Sequence, residues 1–292
     1  KHRPDVYAKL ATILLPHDYV NFWLTGQRWM EYGDASGTGW LDVRTRTGAR
    51  EVLAATHADT ALARFLPPLV EADASFGIAP NIADELGLSR DVIVAAGGGD
   101  NMMAAIGTGN VAPGVLTMSL GTSGTLFACA DVPVVDEHAG WAAFCSSTGG
   151  WLPLICTMNC TVATENVAKL FGFSSRDGES VLDGTKPGAD GLVMLPFFNG
   201  ERTPNLPDAR ASLHGMDMAN LTRGNVYRAA MEGATYALRN GFDALRAAGM
   251  TFDSIRLTGG GSHSAAWRQM VADGFDLPGQ VPPQAQGAAF GG

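Results

Sequence analysis

The apolar positions of this chain follow two periods. Asp91-Val92-Ile93-Val94-Ala95-Ala96 is a continuous apolar run, the pattern of a strand buried on both faces, and it empties into Gly97-Gly98-Gly99-Asp100-Asn101. Asp100 is therefore expected at the carboxyl end of a strand, or as the N-cap of a short helix over residues 101–106. The runs 115–120 and 125–128 flank Gly121-Thr122-Ser123-Gly124 and predict a hairpin with a glycine-bounded tip. A second pair, 141–146 and 151–156, brackets Thr148-Gly149-Gly150 in the same way. Then the period changes. Tyr227, Ala230, Met231, Ala234, Leu238, Phe242 and Leu245 recur at steps of three and four, which predicts a long helix that Thr222 caps and Gly249 stops. Ser254-Ile255-Arg256-Leu257-Thr258 returns to alternation and meets Gly259-Gly260-Gly261, after which Ser264 is placed to cap a helix running to Asp273. Strands and helices in this mixture predict an α/β fold. Residues 107–114, where helix gives way to hairpin, divide the chain near residue 111, into 1–110 and 111–292.

The 292 residues include 20 Lys+Arg against 29 Asp+Glu, a net charge of −9, and 46% are hydrophobic. That apolar content builds a sizeable core and excludes a disordered or coiled-coil chain. With an acidic balance and no basic run, a nucleic-acid surface is excluded too, so an anionic ligand must be held locally, by backbone N–H groups or a metal. No apolar stretch reaches the roughly 18 residues that span a bilayer, and a soluble protein is expected. Cys129, Cys145, Cys156 and Cys160 form no CxxC pair and the six histidines lie scattered, so small buried thiols in a reducing compartment are expected and no metal site. The chain opens on Lys1-His2-Arg3-Pro4 with neither a Met nor an apolar leader, which points to a start inside a longer protein.

Glycine is the informative excess, 37 residues, and it is clustered. Backbone N–H groups at glycine turns converge on anions because no side chain blocks the approach, and two such turns in an acidic protein point to a polyphosphate. Each cluster taken alone has a plainer explanation, that glycine merely permits a positive φ. Competing motifs fail on detail. Gly107-Thr108-Gly109-Asn110-Val111-Ala112 has dinucleotide-fingerprint spacing but follows a helix, Gly121-Thr122-Ser123-Gly124-Thr125 misplaces the glycines of a nucleophile elbow, and a Walker-A loop is absent.

Four stretches taken in order resemble the FGGY family of carbohydrate kinases, most closely its xylulose kinases. They are Pro16-His17-Asp18-Tyr19 with Leu24-Thr25-Gly26 and Asp34-Ala35-Ser36-Gly37-Thr38; Gly98-Gly99-Asp100-Asn101; Ser119-Leu120-Gly121-Thr122-Ser123-Gly124; and Gly200-Glu201-Arg202-Thr203-Pro204 followed by Thr258-Gly259-Gly260-Gly261-Ser262. The resemblance covers nearly the whole chain. It implies two actin-like domains, each with a ribonuclease-H-like core, around a cleft that holds sugar and Mg-ATP, with the first domain incomplete. It implies Asp100 as the catalytic base, Asn101 beside it on the sugar, and Gly121, Thr122 and Ser123 on the ATP phosphates. Gly260 and Gly261 would lie over the α-phosphate and adenosine, with Ser264 at an adenine or ribose contact. The implied reaction is ATP- and Mg2+-dependent phosphorylation of a ketose, D-xylulose to D-xylulose 5-phosphate, in the cytoplasm. Partners are then small molecules, with no nucleic acid or membrane, and a homodimer is left open.

Departures from the family pattern are specific. Thr161, Val162 and Glu165 are bulkier or charged where relatives place small residues against the nucleotide. The stretches between Asp276 and Val281 and between Phe173 and Val181 are short, and residues 281–292 read as the opening of the family's last helix. The family's first strand, with its aspartate and glycine-threonine phosphate loop, is expected ahead of Lys1, and a chain without it is expected to be catalytically dead. Two other readings remain: a kinase for another sugar or polyol of the family, and an actin-like module that binds nucleotide without turnover.

Overall fold

A computed structural model describes residues 3–56, 60–138, 140–283 and 287–292; Lys1 and His2 of the opening tetrapeptide, and 284–286 of the expected last helix, lie outside them. Its centre is a six-stranded mixed sheet whose spatial order is Gly279–Gln280, Phe252–Thr258, Gly114–Leu120, Gly124–Ala128, Trp151–Thr157 and Ala142–Cys145. The first three are parallel and the rest antiparallel. Both hairpins form where alternation and glycine place them.

Alternation also sets which layer each side chain joins. Leu116, Met118, Leu120, Leu126, Ile155 and Leu257 point to one face and are fully buried beneath the helices Thr161–Leu170, Arg223–Ala247 and Ala265–Phe275. Phe127, Leu152 and Leu154 point to the other, where Met102, Met103 and Ala105 of the Asp100–Gly107 helix cover them. A short helix, Ala288–Gly291, crosses that same helix so closely that a Cβ on Gly107 would run into the Gly287 carbonyl. The long helix starts as its cap predicts, with Thr222 Oγ1 accepting from the Asn225 N–H at 3.2 Å, and Gly249 follows its end at φ 92°.

One polar group on the second face ties the two halves of the chain together. Asn110, fully buried, donates from Nδ2 to Thr117 Oγ1 and to the Phe127 carbonyl and accepts from the Cys129 N–H. Thr108 hydrogen-bonds Thr117 at 3.0 Å beside it. The helix end and the hairpin it leads into are thus joined by buried hydrogen bonds as well as by the chain.

The strand before the first glycine run departs from expectation. Only Ile93–Ala95 is extended, and it pairs antiparallel with Ser75–Gly77 alone, so among the described residues no layer covers its outer face and Ile93 is 70% exposed. A continuous apolar run needs two covered faces, and this ribbon supplies one. Asp100 is likewise not an N-cap: Gly99 holds that position and Asp100 is the first helical residue. All four cysteines are free, three buried and Cys156 half-buried. No helix among the described residues is long and apolar enough to cross a membrane.

Candidate active site

The turn that carries Asp100 is walled on every side. Gly97 adopts φ +72°, and a Cβ on it would touch the His17 ring at 3.7 Å. On Gly98 it would meet Ser147 Oγ at 2.6 Å and Met103 Cε at 2.7 Å, and on Gly99 Met102 Sδ at 3.1 Å and Asp34 Oδ1 at 3.4 Å. Gly97 is therefore favoured by its positive φ and Gly98 by close approach, Gly99 is tightly packed, and the chain leaves them into the helix with Asp100 exposed. Asp100 Oδ1 accepts from the Asn101 N–H at 2.8 Å and from Asn101 Nδ2 at 2.9 Å, so the pair acts as one unit. An exposed carboxylate oriented by its neighbour has the geometry of a base awaiting a hydroxyl.

Behind the turn lies a cluster of titratable groups. His17 Nε2 donates to the Ala96 carbonyl at 3.0 Å, and its Nδ1 sits 2.8 Å from Asp34 Oδ2 and 3.4 Å from Asp18 Oδ1. Burial pushes the His17 pKa down. The hydrogen bond to Asp34, the charge of Asp18 and the Ala96 carbonyl together outweigh it and raise the value to about 9. Asp18 is buried, Oδ2 accepting from the Leu15 N–H and Oδ1 hydrogen-bonded to nothing, and burial lifts it to about 6 against the pull of that N–H and of His17. Glu31, also buried, accepts from the Gly33 and Asp34 N–H groups, and burial raises its pKa as well. The ligand atoms of His17, Asp18 and Asp34 lie within 4.8 Å of one another, a separation a cation could bridge, but a hydrogen bond already fills the space between Nδ1 and Asp34.

The second glycine turn and the hairpin tip meet at the carboxyl ends of two neighbouring parallel strands, Thr258 beside Ser119 in register. A Cβ on Gly259 would lie 3.0 Å from the Gly121 nitrogen. The tip, with Thr122 and Ser123 exposed, also starts the next helix: Gly121 O accepts from the Thr161 N–H and Thr122 O from the Cys160 N–H. Between that helix and the glycine turn opens a cleft of about 360 Å³, lined by Gly260, Gly261 and Ser264 together with Thr161, Thr164 and Glu165. Ser264 serves as an N-cap here, its Oγ accepting from the Trp267 N–H at 3.0 Å.

Gly260 and Gly261 differ physically. A Cβ on Gly261 would press on Leu120 Cβ at 2.8 Å and on the Trp267 ring at 3.1 Å, so packing alone requires glycine there. Gly260 has neither a positive φ nor any neighbour within 4 Å of such a Cβ. Nothing in the protein demands that it be glycine, and it faces the cleft.

The structure brings Gly121 against Gly259 and places Gly260, Gly261 and Ser264 on the cleft, whose lining does not include Gly121, Thr122 or Ser123; it pairs Asp100 with Asn101 on a different element outside that cleft. Thr161 and Glu165, the departures from family pattern, do line the cleft, while Val162 does not. The sequence assigns no functional role to Arg176, Glu179 or Tyr227, which line it too; the first two come from the adjoining short helices Ser175–Asp177 and Gly178–Val181 and the third from the long helix, without local signature. His17, Asp34 and Glu201 stand in the sequence only as motif letters. Glu201 is buried and accepts from the Met158 N–H at 2.6 Å and from Asn159 Nδ2 at 3.0 Å, which fixes the loop running from the 151–157 strand into the cleft-lining helix.

Comparisons with known proteins agree on one family. The model of the FGGY carbohydrate kinase N-terminal domain matches residues 1–107 and that of the C-terminal domain residues 116–292. The xylulose kinase of Haemophilus influenzae is 46% identical over 290 residues, 99% of this chain and 59% of that protein, and the xylulose kinase of Streptomyces coelicolor is 40% identical over all of this chain and 58% of its own length. A crystal structure from Brucella ovis, titled a xyloylose kinase, superposes with a TM-score of 0.92 at 34% identity, covering 99% of this chain and 60% of that one. The chain thus spans somewhat under two thirds of the relatives it matches. With two domain models matched end to end and an α/β, actin-like core, the chain belongs to the FGGY family of carbohydrate kinases.

Proposed function

We propose that the protein carrying this chain phosphorylates a ketose with Mg-ATP, converting D-xylulose to D-xylulose 5-phosphate in the cytoplasm. The division near residue 111 separates a sugar half, residues 1–110, from a nucleotide half, residues 111–292. The observation that carries the reading is the abutment of hairpin tip and glycine turn at the ends of two parallel strands, where open α/β sheets bind their ligands. Phosphoryl transfer asks a protein for little covalent help: it needs positioned reactants, donors on the phosphoryl oxygens and one base. Gly121, Thr122 and Ser123 supply donors for the phosphates, and Gly260, Gly261 and Ser264 form the wall for α-phosphate and nucleoside. Asp100 takes the proton of the attacking sugar hydroxyl, and Asn101 holds both that carboxylate and the sugar. Mg2+ enters with the nucleotide and neutralises its phosphates. The choice of xylulose is supported by the named relatives at 46% and 40% identity.

The direct test is ADP release measured across ketoses and polyols. Turnover stimulated most by D-xylulose supports the reading, and another preferred substrate reassigns the sugar. Nucleotide binding that no sugar turns into turnover identifies a non-catalytic actin-like module. In an active protein, Asp100→Asn should lower kcat by about a hundred- to ten-thousand-fold with nucleotide affinity kept, and near-normal turnover would remove Asp100 from the mechanism.

A further inference from the structure

We propose that His17 is a positioning residue for Asp100: one imidazole ties the start of the glycine turn that carries the base to the carboxylate packed beside its end. At one nitrogen it holds the Ala96 carbonyl, the last residue before Gly97, at 3.0 Å. At the other it holds Asp34 Oδ2 at 2.8 Å, and the second oxygen of that carboxylate stands 3.4 Å from where a Cβ on Gly99, one residue before Asp100, would lie. The inference rests on the role of Asp100 proposed above.

Two acceptors at the two nitrogens fix the protonation state. A carbonyl oxygen only accepts, so Nε2 carries a proton. An ionised carboxylate also only accepts, so Nδ1 must carry one as well, and the clamp is an imidazolium. Every charged group that faces the ring favours this state: Asp18 on its own helix, Asp34 on the neighbouring one, and Glu31 at the start of that helix. The element packed against its other edge supplies the Ala96 carbonyl and the uncharged glycines. Asn21 Nδ2 shares that carbonyl at 2.8 Å and holds it without His17, but it does not reach Asp34. The histidine is the part that joins the two ends. Loss of the Nδ1 proton would set a lone pair against Asp34 at 2.8 Å, and the clamp opens.

Because the folded value, about 9, lies above the ordinary 6.5, the stabilising contribution is complete below pH 6.5 and is lost as pH rises through 9. Turnover should follow it. Three variants of the protein carrying this sequence, His17→Ala, His17→Gln and His17→Lys, test the clamp through kcat, ATP KM and melting temperature between pH 6 and 10. Displacing a reacting group slightly costs up to about a hundredfold, so His17→Ala and His17→Gln should lose roughly ten- to a hundredfold in kcat with ATP KM unchanged, and the fall in melting temperature between pH 7 and 9.5 should vanish. His17→Lys keeps a cation within reach of both carboxylates; it should recover most of kcat and move the alkaline fall upward. Recovery by His17→Gln as complete as by His17→Lys would overturn the proposal, since filling the space would then suffice. So would a rise in melting temperature on adding Zn2+ that wild type shows and His17→Gln does not, because a metal would then hold the place of the proton. Asp100→Asn, run in parallel, separates the two levels: an active Asp100→Asn variant defeats the proposed base itself, whereas an inactive one beside a fully active His17→Gln defeats only the clamp.

Discussion

At Gly260 and Gly261 two adjacent letters that look alike in the sequence have different physical causes. The sequence supports one explanation for both, close approach of a nucleotide, because glycine reports only that a side chain is unwelcome. The structure shows what each side chain would meet. Gly261→Val would force Leu120 and Trp267 apart and should cost about 1 to 3 kcal/mol of stability whether or not nucleotide is present. Gly260→Ala meets open space and needs no unusual φ, so its melting temperature should stay within about a degree or two of wild type. If nucleotide lies over this turn, the same change should raise ATP KM roughly ten- to a hundredfold, the equivalent of about 1.4 to 2.7 kcal/mol. Melting with and without Mg-ATP, alongside ATP KM, checks the pair. An unchanged ATP KM in Gly260→Ala would remove the nucleotide from this turn. Asp100 was legible as a candidate because a carboxylate beside three glycines is rare. The groups behind it were not, since His17 reaches Ala96 across 79 residues of chain and meets Asp34 across another 17.

Elements were read best where their signals are local. The Arg223–Ala247 helix carries its period, cap and stop in its own letters, and all three are in place. Thr222→Ala removes the acceptor for the Asn225 N–H and should cost about 1 kcal/mol, visible as a shift in denaturant midpoint at constant slope, whereas Thr222→Ser should cost little. The strand at residues 93–95 is the opposite case: its apolar letters ask for two covered faces, the described residues cover one, and which strands and helices lie beside it is tertiary information. The hairpin tip shows a third case. Its turn was legible, yet nothing in its letters signals that the Gly121 and Thr122 carbonyls start the next helix, so the tip both faces outward and fixes the cleft's wall.

For the whole molecule, the question is where one folding unit ends. Composition and pattern place a division near residue 111, and it separates the residues proposed for sugar from those proposed for nucleotide. Packing runs across it. The Asp100–Gly107 helix covers Phe127, Leu152 and Leu154, and Asn110 is buried with its hydrogen bonds spent on Thr117, Phe127 and Cys129, all beyond the cut. A fragment of residues 111–292 would expose those three large side chains, at about 1.5 to 3 kcal/mol each, and leave the Cys129 N–H without its partner. A fragment of residues 98–292 keeps the covering helix and the network. The longer fragment should therefore melt cooperatively and bind little of a hydrophobic dye, while the shorter one should bind dye and lose a cooperative transition. Equal cooperativity in both would show that the second face tolerates exposure and that residue 111 divides two independent folding units. The contrast expected here means instead that the helix bearing Asp100 is built onto the nucleotide half's sheet, so the proposed base and the proposed phosphate tip are held by one continuous core.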